Sequence, residues 1–576
     1  MKKSFIPLIC ATALLTVSCA DKLEIPQKGV VAYEDFYKTD EDAEGALVAM
    51  YDVFAQNIAR PNGEAIICPY IALFNLPGDD VYAAGEFYGD NDFNGQINEF
   101  RFDANAQLVV SMYKGFYQMI YGANLVIDNF SGNKADTEVK KRAVAEARTI
   151  RAWAHMMLAI GWGTPPKIDY LLELADKPTN SDSQEELLVW CGKEALEAVA
   201  DLRERTSTAD KNGTTYVTKG FAQYVAGKAY LFAGDYENAE AALKPLVTSN
   251  KYALVPGDRI RETFHLVGEG NEEYIFAANI NNNPAIGDWS GKIQKTTWMH
   301  MDIWGWRTDH CAGTPSLVRG GWGGLGVRAD FAEDLIANDG YDSYRRKAWV
   351  KQFDPEVLYE MAYPTDGEKT LEEKKIADDR GIKTYLYGQS EYLQYKRVSD
   401  NADYDNWYST LNVLIARQAE AYLMYAEVAA RTASTADDAL GLQLLQAIQT
   451  RAGSQKVSPT LNLQDVKEEK RFEMFMEGCR WADLVRYYKV DNDQTVINKL
   501  KDNGKDVPQL YDTYWGEVKD GAKTYPKTAE HKIVTVMQHP NTGKKVGFDK
   551  DVHTLFPFPG AAVMAINPNM KQNPGY

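Results

Sequence analysis

The chain has 576 residues, 45% of them hydrophobic and 25% charged, a balance that fits a large folded core and not a disordered chain. Its 63 lysines and arginines face 81 aspartates and glutamates, a net charge of −18 that leaves no basic footprint for nucleic acid or anionic lipid. The 34 tyrosines and 12 tryptophans are of the kinds that recognition surfaces favour.

At the N-terminus, MKKSFIPLICATALLTVSC sets two lysines before an apolar run from Phe5 to about Val17 and a small residue before Cys19. That is the pattern of a signal peptide over residues 1–18, too short to span a bilayer as a helix. Leu15-Thr16-Val17-Ser18-Cys19 resembles a bacterial lipobox, with the leucine one place earlier than the usual spacing. Cys19 is therefore the expected lipidation site, and an incidental cysteine is the alternative. Acyl chains there would hold the body at a membrane surface, each buried methylene contributing about 0.8 kcal/mol. Loss of Lys2 and Lys3 with the signal moves the charge from −18 to −20. Cys68, Cys191, Cys311 and Cys479 lie far apart without a CxxC pair, neither a zinc spacing nor a disulfide-dense scaffold. One or two bridges remain open.

Helical periodicity begins at about 41–58 and continues over 107–130 and 138–160. In the last of these, Val144, Ala147, Ile150, Ala154, Met157 and Leu158 form an apolar stripe before Gly161-Trp162-Gly163-Thr164-Pro165-Pro166 stops it. A further helix is expected at 184–203. Residues 221–247 follow the tetratricopeptide spacing, with Gly227, Tyr230, Gly234-Asp235-Tyr236, Ala239 and Leu243 in the places where two helices cross and turn. Helices at 411–431 and 437–451 repeat the rhythm more weakly over 419–453, and 463–488 reads as another helix. Such hairpins must stack to bury their faces, so more should flank them. Residues 61–105, 255–410 and 505–560 are instead rich in Gly, Asn, Asp and aromatics, with short strand-like pieces such as Glu273-Tyr274-Ile275-Phe276. The expected fold is mainly α, a scaffold of tetratricopeptide-like hairpins with a loop-rich portion carrying short strands and the ligand face.

Within the longest excursion, Trp289, Trp298, Trp304, Trp306 and Trp322 lie among glycines. Indole faces stack on the C–H faces of sugars, and Asp302, Arg307, Asp309 and His310 beside them offer hydrogen bonds to hydroxyls. Some of these tryptophans are equally expected to be core residues pinning the loop. Asp90-Asn91-Asp92-Phe93-Asn94-Gly95 opens like a calcium-binding loop, but its twelfth position is Arg101, a cation, so an Asx-rich turn is the better reading. His300, Asp302, Asp309, His310 and Cys311 show no recognised metal spacing, and no metal or cofactor is expected. The chain has no HExxH, GxSxG or Walker loop. Carboxylate pairs such as Glu420 with Glu427, or Glu473 with Glu477, are expected in ion pairs and not in glycoside hydrolysis. Arg471, Glu477, Arg480, Asp483 and Arg486, with Trp481 among them, read as a structural network.

The stretches CADKLEIPQKG (19–29), YKGFYQMIYGANLVIDNF (113–130), AEARTIRAWAHMMLAIGWGTPP (145–166), TKGFAQYVAGKAYLFAGDYENAE (218–240), ARQAEAYLMYAEVAAR (416–431), KRFEMFMEGCRWADLVRY (470–487) and FPFPGAAVMAINPNMKQNPGY (556–576) resemble the RagB/SusD family of outer-membrane nutrient-binding lipoproteins. The resemblance implies a helical portion over 19–255 and a loop-rich portion over 256–576, packed as one compact unit. It implies glycan capture at the cell exterior and delivery to a TonB-dependent transporter of the SusC type, without catalysis. It also implies that the loop 75–95 walls the ligand site, which singles out Asp80, Tyr82, Phe87, Tyr88 and Asn91 beside Trp289, Trp298, Trp304, Trp306 and Arg307. Peptide capture is the nearest alternative and a glycoside hydrolase the more distant one.

Overall fold

The computed structural model describes residues 36–59, 69–85, 88–90, 92–280, 305, 323–352, 385–390, 392–398, 400, 403–405, 408–409, 411–432, 435–511, 518–519, 522–523, 537–538 and 546–576. Its scaffold is helical: α1 (Asp40–Ala59), α2 (Pro69–Asn75), α3 (Asp92–Asn98), α4 (Gln107–Phe130), α5 (Glu138–Trp162), α6 (Gln184–Ala198), α7 (Lys219–Ala233) and α8 (Tyr236–Val247) come first. After the main excursion, which carries α9 (Ala329–Asp339) and α10 (Tyr344–Trp349), follow α11 (Gln418–Thr432), α12 (Thr435–Ala452), α13 (Leu463–Glu473), α14 (Arg480–Asp491) and α15 (Thr495–Leu500).

Local sequence explains the helix ends. The side chains of Thr137, Ser183 and Asp235 accept from the backbone N–H groups of Lys140, Glu186 and Asn238, capping α5, α6 and α8. Gly163 and Gly234 end α5 and α7 at φ of 76° and 79°, a region that side chains disfavour. The stacking expected of hairpins is present: α4 packs on α5, α5 on α6, α6 on α7 and α7 on α8, and α8 then meets α11, which pairs with α12. Close approach needs small residues. A side chain at Gly192 on α6 would come within 2.7 Å of the Tyr230 ring on α7.

One hydrophobic core runs from Ala43 to Met570 and is shared by residues on both sides of position 255. Trp153 lies at its centre against Phe54, Tyr70 and Phe116. Trp481 stacks on Phe556 at 4.4 Å, which ties α14 to the C-terminal segment.

Three expected elements differ. The start of 411–431 is a strand, Val413–Arg417, antiparallel to Tyr274–Ala278, and both are buried along their whole length. A strand buried on both faces loses its alternation, so its apolar run cannot be told from helix by period. The helix expected over 463–488 is two helices, broken where Met476 and Gly478 take positive φ. The one at 184–203 ends at Ala198 and tightens into a single 3-10 turn, Val199–Asp201.

Candidate functional site

Five separate pieces of chain meet in one loop layer. Val81–Ala83 pairs antiparallel with Leu325–Val327, and Gly85 bridges Tyr387. Tyr385–Tyr387 pairs with Gln509–Tyr511, and Val350–Gln352 with Tyr392–Gln394. The Ser390 hydroxyl donates to the Val327 carbonyl at 2.7 Å and joins these pairs. Gly326 lets backbones touch here, because a Cβ would fall 1.9 Å from the Gly388 carbonyl oxygen.

Two of the expected site residues stand in this layer with their rings half-exposed. The Arg328 guanidinium lies 4.9 Å from the centre of the Tyr82 ring and is held by Asn503 at 3.0 Å and Asp330 at 3.1 Å. Tyr88 meets Tyr387 edge-on at 5.5 Å, and its hydroxyl donates to Glu99 at 3.4 Å. Burial, and then the Glu99 carboxylate, push the Tyr88 phenol up to about 12, so it remains a neutral hydrogen-bonding group. Aromatic faces backed by fixed guanidiniums are chemically suited to hydroxylated, weakly apolar ligands.

Asp80 does not join them. It is fully buried, and neither carboxylate oxygen has a hydrogen-bond partner. Burial, reinforced by the neighbouring Asp79 carboxylate, raises it to about 7. Asp79 takes the cations instead, accepting Arg480 through two bonds of 2.6 and 2.9 Å. Aspartates adjacent in a loop look alike in sequence, and only packing decides which one meets solvent. Phe87, Asn91, Trp289, Trp298, Trp304, Trp306, Arg307, Trp322 and Cys19 lie outside the described residues.

The calcium-like opening is resolved by Arg101, which pairs with both Asp92 and Glu99. Asp92–Asn98 is moreover a helix, so the cation in this acidic cluster is a guanidinium. Among the described residues one cluster has metal-ligand chemistry: His265, Asp400 and Asp403. Its oxygens are already engaged, Asp400 by Arg261 at 2.8 and 2.9 Å, and Asp403 by the His265 ring at 2.7 Å and the Leu266 and Asp400 amides. The carboxylates of this cluster thus serve neighbouring side chains and backbone, while His265 Nε2 is buried with no hydrogen-bond partner among the described residues.

The helix-borne carboxylates are likewise paired. Glu420 accepts from Lys228 at 2.8 Å and from Tyr224. Glu427 accepts Arg486 at 2.6 and 2.8 Å; burial opposes its ionisation, but Arg486 and Arg431 outweigh it and hold the group down to about 2. Glu473 and Glu477 share Arg417 at 2.7 Å each. The Arg471–Arg486 network is thus structural, although most of its pairs cross between elements and do not run along one helix. Cys191 and Cys479 are buried free thiols; Cys68 and Cys311 lie outside the described residues.

Elsewhere, an apolar groove of about 810 Å³ lies between α1, α4 and the C-terminal residues Val563, Ile566 and Met570. No residue expected at the site lines it. The expected set also omits the basic run Arg345, Arg346, Lys347 and Lys351, whose density of cations in an acidic chain is the signal that marks it.

The described residues contain no helix long and apolar enough to cross a membrane. Residues 302–576 match the SusD family, and residues 83–189 match a SusD-like family described as starch-binding and associating with the outer membrane. A SusD-like protein of Bacteroides ovatus is 24% identical over 506 residues, covering 84% of this chain and 83% of that protein. Among solved structures, a laminarin-binding SusD-like protein aligns with TM-score 0.68 at 20% identity, over 94% of this chain and 100% of its own. The surface glycan-binding protein A of Bacteroides thetaiotaomicron in complex with laminarihexaose aligns with TM-score 0.68 at 17% identity, over 93% of this chain and 100% of its own. Two family matches in different parts of the chain, a relative spanning most of it and a shared helical fold together establish its likeness to the SusD/RagB family.

Proposed function

We propose that the protein captures a glycan at the outer surface of the outer membrane, held there by acyl chains on Cys19, and passes it to a SusC-like TonB-dependent transporter without cleaving it. The observation that carries this reading is the loop layer. Tyr82 and Tyr88 present half-exposed rings on a rigid strand-paired platform, each ring flanked by a guanidinium. Stacking supplies affinity there, and the fixed polar groups orient the sugar hydroxyls. The relatives named for laminarin and laminarihexaose share this fold, which supports a carbohydrate as the ligand. The tryptophans at 289, 298, 304 and 306, with Phe87, Asn91 and Arg307, belong to the proposed site on the strength of the sequence. The pairing of the helix carboxylates with arginine and lysine favours binding over hydrolysis.

The test is affinity electrophoresis of residues 20–576 against plant, fungal and host glycans, with released reducing ends assayed alongside. Retardation by a glycan class without release of sugar supports the reading. Release of sugar, or retardation by none, overturns it.

A further inference from the structure

Arg345 and Arg346 are consecutive residues of α10 with opposite surroundings. Arg345 is fully buried and grips Asp339 at 2.8 Å through two nitrogens, together with Glu469 and Glu473. Arg346 is only 6% exposed, yet among the described residues its side chain has no hydrogen-bond or ion-pair partner, and its Nε is buried. Its guanidinium rests 3.6 Å from the centre of the Tyr341 ring. A buried cation with no carboxylate is costly, whereas Arg151, Arg417, Arg451, Arg480 and Arg486, buried like it, each hold one.

A second unpaired cation stands nearby. Lys351, half-buried on the strand Val350–Gln352, has no ion pair among the described residues; its ammonium lies 4.6 Å from the centre of the Tyr395 ring. Burial, and then the positive charges of Arg346, Arg261 and Lys347, hold it below the usual lysine range. Of these neighbours Arg261 is neutralised by Asp400 and Lys347 by Asp342 at 3.0 Å. Among the described residues, no carboxylate compensates the charges of Arg346 and Lys351. Tyr341, against the Arg346 guanidinium, is 52% exposed, an aromatic surface of the kind a sugar ring lies on. The strand that carries Lys351 pairs with Tyr392–Gln394 in the same loop layer as Tyr82.

We propose that Arg346 and Lys351 form an anion subsite that receives the carboxylate or sulfate of an acidic glycan, whose ring lies on Tyr341. This rests on the glycan-capture reading and narrows it to a charged substrate. An anionic group would complete the hydrogen bonding that Arg346 lacks and relieve the repulsion around Lys351. The acidic body does not forbid this, because its distant charges are screened beyond about 8 Å at physiological salt while the two local cations act at contact.

The experiment is affinity electrophoresis and calorimetry of residues 20–576 with polygalacturonate (carboxylates), dextran sulfate (sulfate esters), and laminarin and dextran (neutral). The chain is compared with Lys351→Gln and with Arg346→Gln, each checked for native circular dichroism. The subsite predicts binding to an acidic polymer that weakens roughly tenfold in Lys351→Gln, with any neutral-glycan affinity unchanged. Which polyanion binds distinguishes carboxylate from sulfate. If Arg346→Gln does not fold, Lys351→Gln alone decides the outcome. Binding of neutral glycans alone, or acidic-glycan binding indifferent to Lys351, overturns the subsite and leaves glycan capture standing. Binding of neither class overturns both.

Discussion

Gly227 of α7 sits so close to Leu243 of α8 that a Cβ on the glycine would lie 2.3 Å from the leucine Cγ. Leu243 is fully buried, so it has no empty direction in which to retreat. Gly227→Ala should therefore destabilise the protein by about 1–3 kcal/mol through overpacking. Gly45, within α1, has nothing within 4 Å of where its Cβ would be. Gly45→Ala should stabilise by about 0.5–1 kcal/mol through helix propensity alone. Urea denaturation of the two variants reads both signs; an unaffected Gly227→Ala would show that the hairpin crossing is looser than the geometry states.

Asp80 should make stability fall with pH. Its folded pKa, about 7, lies above the ordinary 3.8, so between these values the folded chain holds a proton that the unfolded chain has released. Its favourable contribution is complete below 3.8 and is lost as pH rises to about 7. Asp80→Asn cannot ionise. It should match wild type near pH 4 and exceed it by on the order of 1–3 kcal/mol at pH 8. Parallel denaturation curves at the two pH values test this, and a constant difference would contradict it.

The buried Arg417 guanidinium holds the buried Glu273 at 3.0 Å and Glu473 at 2.7 Å, and the partly exposed Glu477 at 2.7 Å. Arg417→Met should cost about 3–5 kcal/mol, because it strands the buried carboxylates of Glu273 and Glu473. The loss should shrink in mild acid, where those carboxylates can take up protons. A variant as stable as wild type at pH 7 would show that Arg345, Arg451 and Lys396 suffice for the cluster.

If the loop layer is the capture surface, Tyr82→Ala and Tyr88→Ala should each weaken retention of a bound glycan about threefold to tenfold without lowering the melting temperature by more than a few degrees. Asp80→Asn should leave retention unchanged, since that side chain is buried. Equal retention in both tyrosine variants would move the ligand elsewhere.

The scaffold was the legible part. Its helices carry a 3.6-residue apolar period, and Gly227, Tyr230 and Gly234-Asp235-Tyr236 mark a hairpin whose contacts lie within a few turns of each other. The strand Val413–Arg417 was not legible, because its partner is about 140 residues away and burial on both faces erases the alternation that announces a strand. The break at Met476 and Gly478 was hidden for a related reason: apolar residues continue through it and only the backbone dihedrals show it.

The candidate site divides in the same way. From sequence alone came the family resemblance, the acidic charge, the signal and anchor pattern, the aromatic-rich loops and the placing of Tyr82 and Tyr88 in one loop, since these depend on composition and local spacing. Tertiary structure alone decided that Asp79 takes Arg480 while Asp80 is left buried and unpaired. It alone decided that Arg345 turns into a carboxylate cluster while Arg346 turns onto Tyr341. Those outcomes are set by which distant element supplies a counter-charge, and a residue's own neighbours in the chain carry no record of it.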